Sequence, residues 1–296
     1  VSHRLHLGGV SYCVEVPDGF ELRPSDALYA TFRTATTPTS EVAVIPVAVR
    51  IDRSPPERPT VDRTLFDTNQ SWFVQEDGAD LVFILRGPDS VDERLWSARL
   101  SHDRCRVNLR CDDRFWIGDP TPTLHDPFVY PLDQLVTMMV LAHHRGGAIL
   151  HAAGVSREGR AIACVGVSGA GKSTLATLAE GSFRILSDDR VILRVAGDGT
   201  VLFGTPWAGE ARIARPEAAP LAALVFLHKA DTTEIRPIER DAALRQLLPT
   251  LSVPWFEERA ASNVLKVGEC VLELVRAYDL HFRPDRGVAE VLAGLI

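Results

Sequence analysis

The segment Ile162–Ala179, IACVGVSGAGKSTLATLA, contains three successive local patterns. The stretch Ile162–Val165 is short and apolar, which is typical of a buried strand. Glycines then recur from Gly166 to Gly171, and the run Lys172–Glu180 is rich in Ala and Leu, as helices are. The segment therefore predicts a strand, a tight loop and a helix, which together form a unit of an α/β core.

The loop in this segment fits the pattern G-x-x-x-x-G-K-[ST] from Gly166 to Ser173. Its glycines let backbone N–H groups turn inward around phosphates, and the helix that follows adds its positive N-terminal end. We expect Lys172 to reach the β/γ-phosphates and the Ser173 hydroxyl to bind Mg²⁺. Such a loop contacts the phosphates and not the base, so it does not distinguish ATP from GTP, and we take ATP as the default ligand. The predicted nucleotide-binding residues are Gly166, Ser168, Gly169, Ala170, Gly171, Lys172, Ser173 and Thr174.

Two adjacent carboxylates, Asp188 and Asp189, follow a β-branched and apolar run after the loop. A carboxylate at a strand end beside a phosphate-binding loop can bind Mg²⁺ or orient the attacking nucleophile. Of two such groups, one can bind the metal and the other can accept the proton of an incoming hydroxyl. His151 follows an apolar run and is expected at the end of the strand before the loop strand, within reach of either aspartate.

A loop of rigid and small residues, Gly204–Arg212, holds one Glu and one Arg. Glu210 would complete the metal or phosphate environment, together with Ser173 and Asp189 as metal ligands. Arg212, or else Arg215, would neutralise charge on the transferring phosphoryl group. The alternative is a structural turn anchored by Trp207.

Composition narrows the class of protein. The chain has 296 residues, of which 46% are apolar and 24% charged, and its formal net charge is -7. We expect one or two folded domains and no nucleic-acid partner, because dedicated duplex-binding domains are usually basic. No apolar run approaches the ~20 residues of a membrane helix, and residues 1–16 show no apolar secretion signal, so a cytoplasmic protein without membrane association is expected. The five cysteines include no CxxC pair, which disfavours a disulfide framework or a zinc site.

The chain changes character along its length. Turn residues at Gly118–Pro122 predict a boundary between a β-rich N-terminal domain, 1–118, and a phosphate-binding-loop domain, 119–296. The N-terminal domain would serve recognition or oligomerisation, or be purely structural. Its predicted strands are Ser11–Val16, Ala27–Phe32, Val42–Ile51, Ser71–Val74, Leu81–Leu85, Trp96–Leu100 and Cys105–Leu109. The predicted helices of the second domain, besides the one after the loop, are Pro131–His144, Asp241–Leu248 and Asp285–Leu295.

The block Gly147–Leu193 resembles the HPr kinase/phosphorylase family. The resemblance rests on His151, the glycine-rich loop and the pair Asp188-Asp189, in this order and spacing. It implies an α/β fold with an HPr kinase/PEP carboxykinase-like P-loop core, preceded here by the β-rich domain. It further implies that Asp188 is the general base, that His151 supports the aspartates, that Lys172 and Ser173 hold phosphate and Mg²⁺, and that a homo-oligomer can form.

The stretch GTPWAGEARIA, Gly204–Ala214, followed by the apolar run Leu221–Leu227, looks like the HPr-kinase-related kinases of peptide biosynthetic clusters, such as those that tailor lasso peptides. This likeness implies transfer of the γ-phosphoryl group of ATP to a serine of a peptide or protein. A kinase for free serine or a sugar, and a nucleotide-binding regulator or NTPase without an acceptor, are the alternatives. No LSGGQ-like or NKxD motif is present, which disfavours ABC-type ATPases and GTPases.

Overall fold

The computed structural model describes residues 2–24, 26–34, 42–58, 63–88, 90, 92–118, 121–197 and 199–296. The chain divides into two compact units, of which the first is drawn mainly from residues up to His143. The second holds His144–Ile296 with short segments from the first part of the chain. The boundary predicted at residues 118 and 119 adjoins Asp119 and Pro120, which lie outside the described residues, and it stays a prediction.

An eight-stranded sheet accounts for most of the first unit. Its strand order is β1-β2-β4-β9-β8-β7-β6-β5, and β4 alternates buried and exposed residues as a half-buried strand should. The predicted strands Trp96–Leu100 and Cys105–Leu109 are confirmed, and they form an antiparallel hairpin as β8 and β9. The strands are β1 Ser2–Leu7, β2 Val10–Glu15, β4 Ile45–Asp52, β5 Arg63–Asp67, β6 Trp72–Asp77, β7 Asp80–Arg86, β8 Arg94–Leu100 and β9 Arg106–Cys111.

Two helices and a small sheet complete the first unit. Helix α2, Leu132–His143, confirms the helix predicted there, and the Thr137 hydroxyl on it lies 2.7 Å from the hydroxyl of Tyr12. The small sheet has three strands in the order β10-β11-β3. Its strands are β3 Glu21–Arg23, β10 Trp116–Ile117 and β11 Thr123–His125, and a short 3-10 helix spans Asp113–Phe115.

The strand predicted at Ala27–Phe32 is wrong, because this segment forms helix α1, Ala27–Thr34. Tyr29 and Phe32 are buried, and a spacing of three residues places them on one face of a helix. Asp26 accepts a hydrogen bond from the Leu28 N–H at 2.9 Å, in the way that side chains cap a helix start. Burial of that face outweighs the weak strand preference of the aromatic residues.

The second unit is built on a mixed eight-stranded sheet. Strands β12 and β13 form an antiparallel hairpin, whereas β17 pairs in parallel with both β13 and β19. The main strand order is β13-β12-β15-β16-β17-β19-β18, with β14 paired to β12 and β13 also paired to β17. The strands are β12 Gly147–Arg157, β13 Arg160–Val165, β14 Arg184–Ser187, β15 Arg190–Ala196, β16 Gly199–Gly204, β17 Ala218–Lys229, β18 Glu234–Pro237 and β19 Arg276–Phe282.

The helices of this unit cover the sheet. Helix α3, Lys172–Ala179, follows the glycine-rich loop as predicted, and Leu175, Ala176 and Ala179 bury its apolar face in the core. Helices α4, Arg240–Leu247, and α6, Gly287–Ala293, correspond to the two predicted helices near the C-terminal end, whereas the long helix α5, Glu258–Leu274, was not predicted. A 3-10 helix spans Leu248–Thr250. Among the described residues, no helix has the length and apolar character needed to cross a membrane.

Candidate active site around the glycine-rich loop

The glycine-rich loop connects the end of β13 at Val165 to the start of α3 at Lys172. Gly171 has a φ of 101°, a conformation that residues with a side chain rarely adopt, and it stands at the N-cap of α3. A Cβ on Gly171 would lie 2.9 Å from the ring of Phe282, so the loop also needs a residue without a side chain for space. The unpaired N–H groups of the first turn of α3 thereby begin directly at the loop.

A cavity of about 310 Å³ opens over this loop. It brings together eight residues that the sequence predicts for the site, and it also includes Gly209 and Lys229. Gly166, Ala170, Asp188, His151 and Arg212, also predicted, are not among the residues that line it. The lining residues are Ser168, Gly169, Gly171, Lys172, Ser173, Thr174, Asp189, Gly209, Glu210 and Lys229.

Lys172 is almost fully buried, with a side-chain exposure of 6%. Its ammonium donates to the Val167 carbonyl at 3.2 Å and lies 3.7 Å from Asp189 Oδ1. Burial lowers the pKa of Lys172 below its ordinary value, and the nearby Asp189 opposes this change. The side chain is therefore a desolvated cation at the loop, where attraction to an anion is stronger than in water.

Asp189 carries the densest set of ionic contacts at the cavity. His151 Nε2 donates to Asp189 Oδ1 at 2.8 Å, and Arg190 Nη1 donates to Oδ2 at 2.7 Å. Burial alone would raise the pKa of Asp189, but the hydrogen bond from His151 and the positive charges of Arg190 and Lys172 lower it overall. This carboxylate is thus ionised at neutral pH and held in one orientation.

His151 does not lie at the end of its strand, as the sequence suggested, but inside β12. Strands β12 and β13 are antiparallel, and Ala152 lies opposite Val165, the last residue of β13. His151, which precedes Ala152, therefore lies beside Gly166, the first residue of the loop. The Gly166 N–H donates to the His151 carbonyl at 3.3 Å. The hairpin therefore positions the imidazole next to the cavity even though the strand continues past it.

Asp188 is fully buried and serves the loop that follows β16. Its Oδ1 accepts from the Gly209 N–H at 2.9 Å and the Ile213 N–H at 3.3 Å, and its Oδ2 accepts from the Ala211 N–H at 3.0 Å. The backbone N–H of Asp188 in turn donates to the Ile213 carbonyl. The carboxylate thus organises the segment 209–213, which carries Gly209 and Glu210 to the cavity.

The two candidates on that segment have different positions. Glu210 is exposed and lines the cavity, whereas Arg212, which is also exposed, does not. Arg215, the alternative to Arg212, donates from Nη1 to the Ile185 carbonyl at 2.7 Å and so ties the segment to β14. The structure therefore brings Glu210 to the site and does not bring either arginine there.

The oxygen atoms beside Gly209 are suited to Mg²⁺. A Cβ on Gly209 would lie 3.0 Å from Ser173 Oγ and 2.8 Å from Asp188 Oδ2, so hydroxyl and carboxylate oxygens meet at this point. In the part of the chain that the structure describes, no three His, Cys, Asp or Glu side chains form a cluster that could hold a metal. Mg²⁺ at nucleotide sites commonly uses one or two protein ligands together with phosphates and water. The candidate ligands Ser173, Asp189 and Glu210 line the same cavity and carry oxygen atoms of the kind that Mg²⁺ prefers.

Lys229, Gly209 and Arg190 form part of the site without having been assigned a role from the sequence. For Lys229 a signal was available, because it follows the apolar run Leu221–Leu227 by two residues, and strand ends line ligand crevices in α/β sheets. For Gly209 no comparable signal exists, since its place depends on the three N–H groups that Asp188 binds.

The comparisons with known proteins cover this region. A family model described as "SynChlorMet cassette protein ScmC" matches residues 127–264, just under half of the chain, and this span contains His151, the loop, both aspartates and Lys229. The comparison with curated proteins gave no match. The solved structure of the Hpr(Ser) kinase/phosphatase from Coxiella burnetii is 13% identical, with a TM-score of 0.30 over 50% of this chain and 87% of that chain. A TM-score this low establishes no shared fold.

Proposed function

We propose that the protein is an ATP- and Mg²⁺-dependent kinase that transfers the γ-phosphoryl group to a hydroxyl, with a serine of a peptide or protein as the acceptor. One observation carries the proposal: the glycine-rich loop, the Ser173 hydroxyl and the Asp189 carboxylate line a single cavity. A phosphate cradle, a metal-binding hydroxyl and a carboxylate are the parts that phosphoryl transfer needs, since catalysis consists mainly of positioning and charge neutralisation.

Binding of the nucleotide would rest on the loop and on α3. The backbone N–H groups from Gly169 to Ser173 would donate to phosphate oxygens, and Lys172 would place its charge beside them. Ser173 and Glu210 would hold Mg²⁺, which when bound neutralises charge on the phosphates. Asp189 would then be left to accept the proton of the acceptor hydroxyl. Arg212 stays a candidate for charge neutralisation only if the segment that carries it moves toward the cavity.

The geometry favours Asp189 over Asp188 as the carboxylate that receives the proton. Both carboxylates accept hydrogen bonds, but Asp188 is fully buried, whereas Asp189 lines the cavity and is oriented by His151 and Arg190. In the proposed step the acceptor hydroxyl oxygen forms a bond to the γ-phosphorus, and the bond between that phosphorus and the β–γ bridging oxygen breaks. ADP leaves, and the hydroxyl proton passes to Asp189.

The peptide or protein acceptor is proposed from the resemblance of Gly204–Ala214 and its flanking strand to kinases of peptide biosynthetic clusters. The matched family is described as a cassette protein, which supports a role beside other products of a gene cassette. A kinase for free serine or a sugar would use the same cavity and the same residues. An NTPase without an acceptor would hydrolyse ATP by the same contacts.

The experiment is intact-mass spectrometry after incubation with ATP, Mg²⁺ and a panel of acceptors: the peptide encoded nearest the gene, HPr and free serine. We expect a gain of about 80 Da, the mass of one phosphoryl group, on the peptide. Asp189→Asn should lower the rate by ~10²–10⁴-fold, the usual contribution of a positioned proton acceptor. The exposed Asp231→Asn is the matched control and should act as the wild type.

Each other outcome selects an alternative. Mass gain on free serine alone would indicate a small-molecule kinase, and ADP formation without any acceptor product would indicate an NTPase. Equal loss of turnover in Asp188→Asn, with full stability and full nucleotide binding, would return the proton-accepting role to Asp188. Absence of nucleotide binding by the wild type would contradict the whole proposal.

A further inference from the structure

The topology of the second unit places Lys229 at the same end of the sheet as the glycine-rich loop. Strand β17 runs parallel to β13, and Val165, the last residue of β13, pairs with Phe226. Lys229 follows Phe226 by three residues and ends β17. Because the two strands are parallel, β17 extends past the point where the loop begins, and Lys229 lies beside it.

The register of β17 with β19 places the Lys229 side chain on the face of the sheet that carries the loop. Lys229 pairs directly with Phe282, and directly paired residues of neighbouring strands point to the same face. The Phe282 ring packs against Gly171, so closely that a Cβ there would lie 2.9 Å from it. Lys229 accordingly lines the cavity together with Ser168, Gly169 and Lys172.

The environment of the Lys229 ammonium differs from that of Lys172. The Lys229 side chain is exposed, and within the part of the chain that the structure describes its ammonium has no ion pair or hydrogen bond. Lys172, by contrast, already contacts Val167 and Asp189. An unpaired cation at the rim of a cavity that also holds the N-terminus of α3 favours an anionic ligand.

Lysine is rare in this chain, and its positions point to the cavity. Of the 32 basic residues, only Lys172, Lys229 and Lys266 are lysines, and two of these three line one cavity. A lysine ammonium is a compact point charge whose three donors rotate to meet phosphate oxygens. Lys266 lies on α5 and is not among the residues that line this cavity.

We propose that Lys229 is a second phosphate-binding lysine, which contacts the polyphosphate of the nucleotide from the end of β17. This inference rests on the proposed nucleotide binding at the loop. Lys172 and Lys229 supply the two cations, and the helix N-terminus supplies the N–H donors. Lys229 binds the ligand and takes no part in proton transfer.

The first test is labelling of the intact protein with an acyl phosphate of ATP. A lysine amine near the phosphates attacks the acyl carbon, an amide bond forms, the bond between that carbon and the phosphate oxygen breaks, and ATP leaves while the amine proton passes to solvent. Peptide mapping resolves the three lysines separately. We expect Lys172 and Lys229 to be labelled, with both suppressed by excess ATP and Mg²⁺, and Lys266 to stay at background.

The second test measures the dissociation constants of ATP·Mg²⁺ and of tripolyphosphate, which has no base, for the full chain. We expect Lys229→Met to weaken both about tenfold, as loss of one charge-assisted hydrogen bond does, and to flatten their salt dependence. Lys229→Arg should recover most of the affinity, and the control Lys266→Met should bind as the wild type. Rescue by arginine separates a charge contact from a structural role.

The outcomes separate this inference from the proposed function. Wild-type binding with Lys229 unlabelled, or with unchanged affinity in Lys229→Met, would overturn the role of Lys229 alone. Loss of affinity that Lys229→Arg does not restore would also overturn it, because the charge would then not be the cause. If the wild type binds neither ATP nor tripolyphosphate, both the inference and the nucleotide site are wrong.

Discussion

Each unit of the molecule contains carboxylates held by several polar contacts, but the two units differ in how far these carboxylates are enclosed. In the first unit, Asp126 pairs with Arg33 and also accepts from the Phe128 N–H, while Asp133 accepts from the Tyr29 hydroxyl at 2.8 Å. These two side chains are 1% and 0% exposed, so their partners enclose them completely. In the second unit, Asp188 is enclosed in the same way, but its neighbour Asp189 opens onto the cavity over the loop.

The difference shows that a buried charge does not by itself locate a functional site. Asp126 and Asp133 contact Arg33, Tyr29 and Phe128, which all belong to the same unit. Asp189 is distinguished by the side that remains open, since Ser173, Glu210 and Lys229 line the same space. Each substitution below therefore tests whether a carboxylate acts on the fold, on the cavity, or on both.

The largest effect on stability is expected for Asp126→Asn in the first unit. The substitution leaves the Arg33 guanidinium, which is 10% exposed, without its counter-charge in a desolvated position. Breaking a buried ion pair from one side costs about 3–5 kcal/mol of unfolding free energy. Urea denaturation measures this loss, with Asp52→Asn as the control, because the Arg50–Asp52 pair is exposed and such pairs contribute ~0–1 kcal/mol.

The same variant tests the separation of the two units. Under conditions where Asp126→Asn remains folded, we expect it to bind ATP·Mg²⁺ with wild-type affinity. Reduced affinity in the folded variant would show that the carboxylates of the first unit also support the cavity, so the two units would not differ in this respect.

The second effect is expected for Asp188→Asn. The amide keeps one acceptor oxygen but presents an NH₂ group to one of the backbone N–H groups that Asp188 now binds. A buried donor left without an acceptor costs about 2 kcal/mol. The segment 209–213 should loosen, so trypsin should cleave after the exposed Arg212 faster than in the wild type. Asp189→Asn is the comparison and should leave this cleavage rate unchanged.

A smaller effect is expected for Gly209→Ala. The added Cβ would approach Ser173 Oγ and Asp188 Oδ2 more closely than ordinary contacts allow, so the segment must shift at a cost of about 1 kcal/mol. Nucleotide affinity should become less dependent on Mg²⁺, because the shift disturbs the Ser173 hydroxyl. Titrations with and without Mg²⁺ measure this. The control is Gly294→Ala, whose Cβ would make an ordinary contact at 3.5 Å.

The parts of the site that depend on local sequence patterns could be predicted. The loop and the start of α3 follow from the spacing of glycines and from the Lys-Ser pair, and the structure brings His151 and Asp189 together as the sequence allowed. The enclosure of Asp188 was out of reach, because its partners are backbone groups some 21–25 residues further along the chain. Every residue except proline carries a backbone N–H, so the residue types give no sign of which N–H groups Asp188 binds.

Two helices show why part of the fold was missed. Helix α1 mixes the strand-favouring residue types Tyr, Phe and Thr with the helix-favouring types Ala, Leu and Arg, and the burial of Tyr29 and Phe32 on one face decides for helix. In α5 the buried residues Ala260, Val264 and Val271 do follow helical spacing, but Gly268 interrupts the run. A Cβ on Gly268 would lie 3.0 Å from the Leu251 side chain, so this glycine reflects close packing and does not end the helix.

The smallest effect concerns the pH dependence that Asp189 contributes to stability. In the folded protein its pKa lies below the ordinary value of 3.8, because the hydrogen bond from His151 and the charges of Arg190 and Lys172 outweigh burial. A carboxylate with a lowered folded pKa stabilises the protein above its unfolded pKa, and this contribution is lost as the pH falls through the folded value. Between pH 5 and 7 the contribution is therefore constant, and below about pH 4 it declines.

Asp189→Asn removes this titration, so the unfolding free energies of the wild type and the variant are compared below pH 5, where the Asp189 carboxylate takes up its proton. Below about pH 4 the wild-type curve should fall more steeply, because its unfolded state takes up one proton more than the variant does. Removing the His151 hydrogen bond with His151→Phe should raise the pKa of Asp189 and reduce that extra slope, since the folded and unfolded values then lie closer. Parallel curves for the wild type and Asp189→Asn down to pH 3 would mean that the ionised form of Asp189 is not favoured in the folded state. In that case the open carboxylate of the second unit would be no better prepared for chemistry than the enclosed carboxylates of the first.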